Sequence, residues 1–414
     1  MEEKLAEFGG SSSSAGRAIK PQSLAASRAE SKKRLVTGIN EVDNVLGGGI
    51  VQGSVNLIAG QPGIGKSTLL LQIANTVAKH SQVLYISAEE SAHQVSSRAS
   101  RLGLDNRKLK IASSTSTDDI AATISKKDFD MIVVDSIQAV SCGNIASAAG
   151  SVSQITNSTQ LITESAKSSD TAVVIVGHVT KQGSIAGPKV LEHVVDVVMQ
   201  LEGDRYGGFK VLRAVKNRYG STNEAGIFEM VEAGLQPVDN PSAALLAERQ
   251  ATDGSIVLAT LEGTRPLLVE VQALVNKTNY GYPKRAASGI DLNRVNLLVA
   301  MLEKRTKLDL SEQDIYVNIV GGIRIQEPAA DLAVVMAIAS AAKGMQLGEG
   351  VAVFGEIGLS GEIRHVPLLE KRVGEAKKLG FKLVIGPELK KGKAPSIYTG
   401  VRDVKAALNK YLER

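Results

Sequence analysis

The chain has 414 residues with 48 Lys and Arg against 43 Asp and Glu, and its length predicts two or three domains. Its single cysteine, Cys142, excludes an intramolecular disulfide framework and a cysteine-rich zinc site, and it fits a reducing cytoplasm. With six Phe, eight Tyr and no Trp, the sequence argues against a nucleic-acid platform built on base stacking. The net charge of +5 is compatible with nucleic-acid binding but too small to establish it.

The apolar runs are all shorter than the roughly 20 residues that a membrane-spanning helix needs, so no membrane partner is expected. Residues 1–35 combine a serine run with little apolar periodicity and predict a flexible tail. The chain is therefore expected to act in the cytoplasm.

Between residues 36 and 240, short apolar runs alternate with helical patterns, such as the one at 66–79. Strands buried on both faces suit a parallel sheet between two helix layers, which predicts a doubly wound α/β domain. Three later runs are expected to be antiparallel because their connections are too short for crossover helices. The first runs are at 55–59, 83–87, 131–135 and 172–176, and the later ones are at 197–202, 210–215 and 227–231.

The segment from Pro237 to Pro241 is the predicted boundary, and residues 250–414 form a second predicted α/β domain. Its expected strands are 256–262, 267–275, 315–320, 351–357 and 382–386, and its expected helices are 294–305, 329–343, 367–379 and 401–412.

The most specific motif is GQPGIGKS, residues 60–67, which follows a predicted strand and opens a predicted helix. Its glycines let backbone N–H groups surround phosphate oxygens, and the helix N-terminus adds partial positive charge. Lys66 is expected to reach the β and γ phosphates of ATP, and the Ser67 hydroxyl to bind Mg²⁺. The predicted nucleotide contacts are Gly60, Gln61, Pro62, Gly63, Ile64, Gly65, Lys66, Ser67 and Thr68.

Carboxylates follow two of the predicted strands. Asp135 ends the run MIVVD, where it suits direct or water-mediated contact with Mg²⁺. Glu89 and Glu90 follow the run VLYIS, and a carboxylate at this rim can activate the attacking water as general base. Either glutamate can instead stabilise the start of the next helix. The spacing favours Glu89 as the base.

Five segments carry a resemblance to a known family: GQPGIGKSTLLLQ, YISAEES, VVDSIQ, GHVTKQGSIAGPKVLEHVVD and the pentapeptide KNRYG (216–220). From about residue 36 onward the chain resembles the bacterial RadA (Sms) proteins, DNA repair ATPases of the RecA superfamily. The family usually has Phe where this chain has Tyr219. Its members usually carry a four-cysteine zinc module before the ATPase domain, and this sequence lacks the cysteines for one, so no zinc is expected.

The resemblance implies a hexameric ring that binds single-stranded and branched DNA and drives branch migration alongside the RecA recombinase in homologous recombination. It supports Glu89 as the catalytic glutamate and implies that His178 senses the γ-phosphate. Lys216 and Arg218 are the candidates for cations that complete a neighbouring subunit's site. The loops at 141–154 and 179–189, the latter with Lys181 and Lys189, are the candidates for DNA contact through the backbone phosphates.

Residues from about 250 onward resemble the proteolytic domain of Lon, with matches at 317–334 and 354–381. Lon-type proteases use a Ser–Lys dyad. The serine position corresponds to Ala329 and the lysine position to Glu370, so this domain is expected to be catalytically inactive. Ser360 and Lys371 lie near the second match, but neither is at a dyad position.

Several functions remain open from the sequence. The leading one is a DNA-dependent ATPase motor. A KaiC-like or DnaB-like assembly would turn over ATP for another partner, and a scaffold would bind ATP to assemble with little turnover. The motif residues around Lys66 and Asp135 disfavour a pure scaffold.

Overall fold

The computed structural model describes residues 33–178, 188–203, 208–279, 281–389 and 394–412 of this α/β protein. In the described residues up to 240, the strands are β1 (Arg34–Leu35), β2 (Ile50–Val51), β3 (Val55–Gly60), β4 (Val83–Ser87), β5 (Leu109–Ser113), β6 (Met131–Asp135), β7 (Ala172–His178), β8 (Val197–Gly203), β9 (Phe209–Asn217), β10 (Ala225–Val231) and β11 (Gly234–Pro237). The helices are α1 (Asn40–Leu46), α2 (Lys66–Val77), α3 (Ala92–Arg101), α4 (Thr117–Ser125), α5 (Val152–Ser169) and α6 (Pro188–Leu191).

Beyond residue 240, the strands are β12 (Ser255–Glu262), β13 (Arg265–Lys277), β14 (Arg285–Ser288), β15 (Gln313–Ile319), β16 (Val351–Val353), β17 (Glu356–Ile357), β18 (Ile363–Arg364), β19 (Leu383–Pro387) and β20 (Tyr398–Val401). The helices are α7 (Pro241–Leu246), α8 (Leu292–Arg305), α9 (Asp331–Lys343), α10 (Leu369–Lys378) and α11 (Val404–Tyr411).

The first large sheet has the strand order β11-β10-β9-β8-β3-β7-β6-β4-β5. The strands from β3 to β5 in this order are parallel, and the four apolar runs predicted as buried parallel strands are confirmed. The prediction for 197–202 is wrong in part, because β8 is parallel to β3 and antiparallel only to β9. β8 can be parallel to β3 because the connection from β7 is long enough to bring the chain back to the end of the sheet at which β3 begins.

Side chains alternate between the two faces of this sheet and build two apolar clusters. Tyr85 and Val133 pack with α2 on one face, whereas Ile86 and Val134 pack with α5 on the other. The carboxyl ends of the parallel strands, where β3 runs into α2, therefore form the edge at which a ligand site is expected in such a sheet.

The second large sheet has the order β14-β15-β13-β12-β16-β19-β20, and its central helix α9 is almost wholly buried. Two predictions here need correction. The run 351–357 is two strands, β16 and β17, separated by Phe354 and Gly355. The last helix begins at Val404 rather than 401, because residues 398–401 pair with β19 as β20. None of the helices in the described ranges is long and apolar enough to cross a membrane.

At the predicted boundary, Pro237 to Pro241, the chain passes from the first large sheet to the second. β11 of the first sheet ends at Pro237, and α7 begins at Pro241 and packs on β13 of the second sheet. The Ser242 hydroxyl of α7 donates to Glu375 (2.6 Å) and accepts from the backbone N–H of Leu268 (3.2 Å). Helix α7 thus belongs to the packing of the second sheet.

Candidate nucleotide-binding site

The loop Gly60–Ser67 connects β3 to α2 and leaves the start of that helix open. Gly65 occupies the N-cap position with φ +114°, and no side chain caps the helix there. The first turn also contains no acidic residue. The positive helix end and its free N–H groups therefore face the loop, which is the arrangement that binds phosphate in proteins.

Gly60 is required by close packing and Gly65 by its backbone conformation. A Cβ on Gly60 would lie 2.6 Å from the carbonyl oxygen of Leu201. Gly65 has φ +114°, which residues with a side chain rarely adopt, and a Cβ there would also come within 2.7 Å of the Cε of Met230. The loop thus keeps its backbone exposed on one side while its other side is packed against β8 and β10.

Lys66 is buried at the first position of α2, and its Nζ donates to the carbonyl oxygens of Gly60 (2.9 Å) and Gln61 (3.0 Å). Burial lowers its pKa from 10.5 to about 8, and the charges of Asp135 and Glu89 oppose that effect. The ammonium is therefore held inside the loop, close to two carboxylates.

Among the other predicted nucleotide contacts, solvent exposure differs along the loop. Ile64 is buried, whereas Ser67 and Thr68 are partly exposed at the start of α2. The exposed residues are Gln61, Pro62 and Gly63.

Asp135 ends β6 and is partly exposed beside the loop. The hydroxyl of buried Tyr85 on β4 donates to its Oδ2 (2.5 Å). Burial raises the pKa of Tyr85 well above its usual value, and Asp135 raises it further. Tyr85 thus stays a hydroxyl donor at ordinary pH.

Glu89 and Glu90 have different partners, which separates the two glutamates. Glu89 accepts a hydrogen bond from Ser136, and its Oε1 lies 3.5 Å from His178 Nε2. Glu90 forms an ion pair with Arg98 on α3. Ser91 and Gln94 form a capping box at the start of α3, so neither glutamate is needed as the cap.

His178 lies at the carboxyl end of β7, beside Gly60 of β3. Its Nδ1 is buried and has no hydrogen-bond partner within the described part of the chain. Lys66, Asp135, Glu89 and His178 therefore belong to one edge of the first sheet.

Lys216 and Arg218 are not brought to the phosphate loop of their own chain. Gly60 pairs with Leu201 at one end of β8, whereas Lys216 pairs with Val198 near the other end. Lys216 donates to the backbone carbonyls of Glu192 and Val195, and Arg218 pairs with buried Asp196 (3.2 Å). Burial, reinforced by the charge of Arg218, lowers the pKa of Lys216.

The two candidate DNA loops are at 141–154 and 179–189. Most of 179–189, including Lys181, lies outside the described residues, as does the side chain of Lys189. The end of 141–154 belongs to helix α5, which begins at Val152. The rest of that segment is tied to buried Gln154, whose amide bonds Cys142 N (2.9 Å), Ile145 O (2.9 Å) and Ser147 O (3.0 Å).

A partly buried ion pair lies beside the position that corresponds to the Lon serine. Ala329 is buried in a short 3₁₀ helix, and Glu370 is exposed in the first turn of α10. Fully buried Arg372 forms two hydrogen bonds to Glu327, two residues before Ala329 (2.9 and 2.6 Å). These groups form a structural pair rather than a nucleophile and its base.

The sequence does not identify two residues of the nucleotide edge, Tyr85 and Ser136. The Tyr85 hydroxyl bonds Asp135 at the end of β6, 50 residues away, and the Ser136 hydroxyl bonds Glu89 just after β4, 47 residues away. The only local signal is a polar atom within a buried run, which requires a partner but does not identify it.

The strand order and this edge define an α/β ATPase of the RecA superfamily, with a phosphate-binding loop and paired carboxylates.

Two protein-family models match the chain. The model for an AAA domain matches residues 21–184, and the model for subunit ChlI of Mg-chelatase matches residues 290–390. The chain is 50% identical to the DNA repair protein RadA of Bacillus subtilis over 89% of this chain and 81% of that protein. It is 46% identical to the RadA of Pseudomonas aeruginosa over 90% and 83%. The chain therefore belongs to the RadA family of DNA repair proteins.

Among solved structures, the RadB recombinase aligns with a TM-score of 0.39 and 20% identity, over 50% of this chain and all of that one.

Proposed function

We propose that this chain is a DNA-dependent ATPase that binds single-stranded and branched DNA and promotes branch migration in homologous recombination and repair. It acts in the cytoplasm as a hexameric ring, together with a RecA-type recombinase. The observation that supports the ATPase reaction is the position of Glu89, which bonds Ser136 and lies 3.5 Å from His178. A carboxylate held in this way at the nucleotide edge suits general-base activation of water.

The residues of this edge fit ATP and Mg²⁺. The uncapped start of α2 and the glycine loop offer N–H donors to phosphate, and Ser67 and Asp135 offer oxygen ligands to the metal. Mg²⁺, when bound, neutralises charge on the β and γ phosphates. On nucleotide binding, Lys66 exchanges the carbonyls of Gly60 and Gln61 for phosphate oxygens. His178 then responds to the γ-phosphate through its contact with Glu89.

Lys216 and Arg218 serve the neighbouring subunit in this proposal. They lie away from the phosphate loop of their own chain, at the end of β9, and Arg218 keeps a side chain that is 48% exposed. A cation supplied across a subunit interface stabilises the charge that develops on the transferred phosphoryl group.

DNA contact is assigned to the loops at 141–154 and 179–189, with Lys181 and Lys189 as the cations that meet backbone phosphates. Both loops follow strands whose carboxyl ends lie at the nucleotide edge, namely β6 and β7. The C-terminal part has no protease activity in this proposal, because Ala329 and Glu370 stand where Lon-type proteases have the Ser–Lys dyad.

The test measures ATP hydrolysis with and without single-stranded DNA at low salt, in the wild type and in Lys66→Ala. Lys79→Ala is the matched control, since Lys79 is exposed just beyond the other end of α2. We expect DNA to raise turnover in the wild type and in the control, and turnover to vanish in Lys66→Ala. Absence of stimulation by DNA would refute the motor function and favour an assembly that serves another partner. Absence of any turnover would favour the scaffold.

The trans role has its own test. Lys66→Ala and Arg218→Ala subunits are mixed, because intact sites then form across some interfaces. Partial recovery of turnover supports a trans cation, and failure of every mixture to recover turnover counts against it.

A further inference from the structure

Tyr85 combines a core ring with a hydroxyl that reaches the metal carboxylate. The residue is 1% exposed and packs in the apolar cluster between the first sheet and α2. Its hydroxyl donates to Asp135 Oδ2 at 2.5 Å. No other part of the ring is polar, so the whole polar function of this side chain is directed at one carboxylate oxygen.

The strand register explains why the two groups meet. β4 and β6 are parallel neighbours in which Tyr85 pairs with Val133 and Ser87 pairs with Asp135. Tyr85 and Asp135 therefore lie on the same face of the sheet, on adjacent strands, with Asp135 one pleat nearer the phosphate loop. A tyrosine side chain is long enough to extend from the core to this strand end.

Packing alone does not account for the hydroxyl. A phenylalanine would fill the same space, and a buried hydroxyl is costly unless it is bonded. Carboxylates that bind metals are usually held in turn by hydrogen bonds from a second layer of residues, which fix their orientation.

We propose that Tyr85 is a positioning residue for Asp135, holding Oδ2 so that Oδ1 remains available to the magnesium site. This inference rests on the proposed ATPase function, in which Asp135 serves the metal. Without the hydroxyl, the Asp135 side chain gains rotational freedom that magnesium binding must remove.

The test compares Tyr85→Phe with Tyr398→Phe. Tyr398 is a matched control because it is also a buried tyrosine, its hydroxyl also donates at 2.5 Å (to the carbonyl of Pro387), and it belongs to the second sheet. Two quantities are measured: the Mg²⁺ concentration for half-maximal ATP hydrolysis, and Mn²⁺ binding to the ADP complex by electron paramagnetic resonance.

For Tyr85→Phe we expect about a tenfold rise in the Mg²⁺ requirement and a similar loss of Mn²⁺ affinity, the lower end of what loss of such a supporting residue costs. Turnover at saturating Mg²⁺ is expected to recover to within about twofold of the wild type. Tyr398→Phe is expected to match the wild type in both. Unchanged metal dependence in Tyr85→Phe would overturn the inference.

A double-mutant cycle with Asp135→Ala separates positioning from a general loss of folding, because alanine offers the Tyr85 hydroxyl no acceptor. If Tyr85 acts through Asp135, Tyr85→Phe adds nothing to the metal-binding defect of Asp135→Ala. Additive defects would overturn the inference. If the wild type fails to hydrolyse ATP, the proposed function fails by itself, and the Mn²⁺ measurement still decides the role of Tyr85.

Discussion

Arg213 on β9 bonds both oxygens of the Glu262 carboxylate on β12, so that one guanidinium joins the first sheet to the second. The same guanidinium bonds Glu202 on β8. Burial lowers the pKa of Arg213, but the hydrogen bonds and charges of the two glutamates outweigh it and raise the pKa above its usual value. Strand β9, which contains Lys216, is thereby fixed to the C-terminal part of the chain.

Replacing Glu262 with Gln is expected to destabilise the protein by about 1–3 kcal/mol, because Arg213 then keeps only one of its two carboxylate partners. The free energy of unfolding is measured by chemical denaturation. Arg364→Gln is the control, since the ion pair of Arg364 with Glu362 is solvent-exposed. This variant is expected to be as stable as the wild type. Equal stability of all three proteins would show that the Arg213 pair does not hold the sheets together.

Lys66 is expected to lower the stability of the nucleotide-free protein at neutral pH. A fall in its pKa from 10.5 to about 8 means that charging the buried ammonium costs the folded state about 3 kcal/mol. The unfolded chain binds more protons than the folded one between pH 8 and 10.5, so stability rises with pH across this window. Below pH 8 the full cost is present.

Lys66→Met is therefore expected to be about 1–2 kcal/mol more stable than the wild type at pH 7 after loss of two hydrogen bonds, although it is inactive. The advantage shrinks as the pH rises from 8 toward 10.5. Thermal or chemical unfolding without nucleotide at pH 7 and pH 9.5 checks both points. A variant that is less stable at pH 7 would contradict the argument.

The buried strands were predictable because continuous apolar runs leave few alternatives, and β4 and β6 have the predicted ends. Helix α5 was missed because Ser, Thr, Gln and Asn dominate its sequence. Several of its hydroxyls donate to carbonyls of the same helix, as when the Thr159 hydroxyl donates to the carbonyl of Ile155 (2.7 Å). Short edge strands such as β5 and β14 carry no continuous apolar run.

The phosphate loop was predictable because one local motif contains it. The partners of the neighbouring carboxylates Asp135 and Glu89 were not predictable, because they come from separate parts of the chain. The ion pair of Glu41 with Arg265, 224 residues away, could not be predicted for the same reason. Sequence spacing restricts side chains within one element, whereas such pairs depend on how separate elements pack.

Glu89→Gln is expected to lower ATP turnover by about 10²–10⁴-fold, because the amide cannot accept the proton of the attacking water. Nucleotide affinity is expected to change little. Glu90→Gln is the neighbouring control: its carboxylate pairs with Arg98 and is expected to affect turnover by less than about threefold. Steady-state hydrolysis and binding of a fluorescent ADP analogue measure the two effects. A larger loss in Glu90→Gln would reverse the assignment.

Gln154 is expected to control the order of the loop from Cys142 to Ser151. Its buried side chain bonds four backbone groups of that loop, and Gln154→Ala removes these bonds at a cost of about 1–3 kcal/mol. Gln160→Ala is the matched control on the same helix, where Gln160 is exposed and bonds only Glu164 (3.1 Å) among the described residues.

Hydrogen exchange of the Cys142 amide is expected to quicken in Gln154→Ala and to stay unchanged in Gln160→Ala, because only Gln154 accepts from that N–H. If the loop contacts DNA, affinity for single-stranded DNA falls in Gln154→Ala alone, since binding must then order the loop. Fast exchange with unchanged DNA affinity would remove this loop from the DNA interface and leave the loop at 179–189 as the remaining candidate. Equal exchange in both variants would show that Gln154 does not hold the loop.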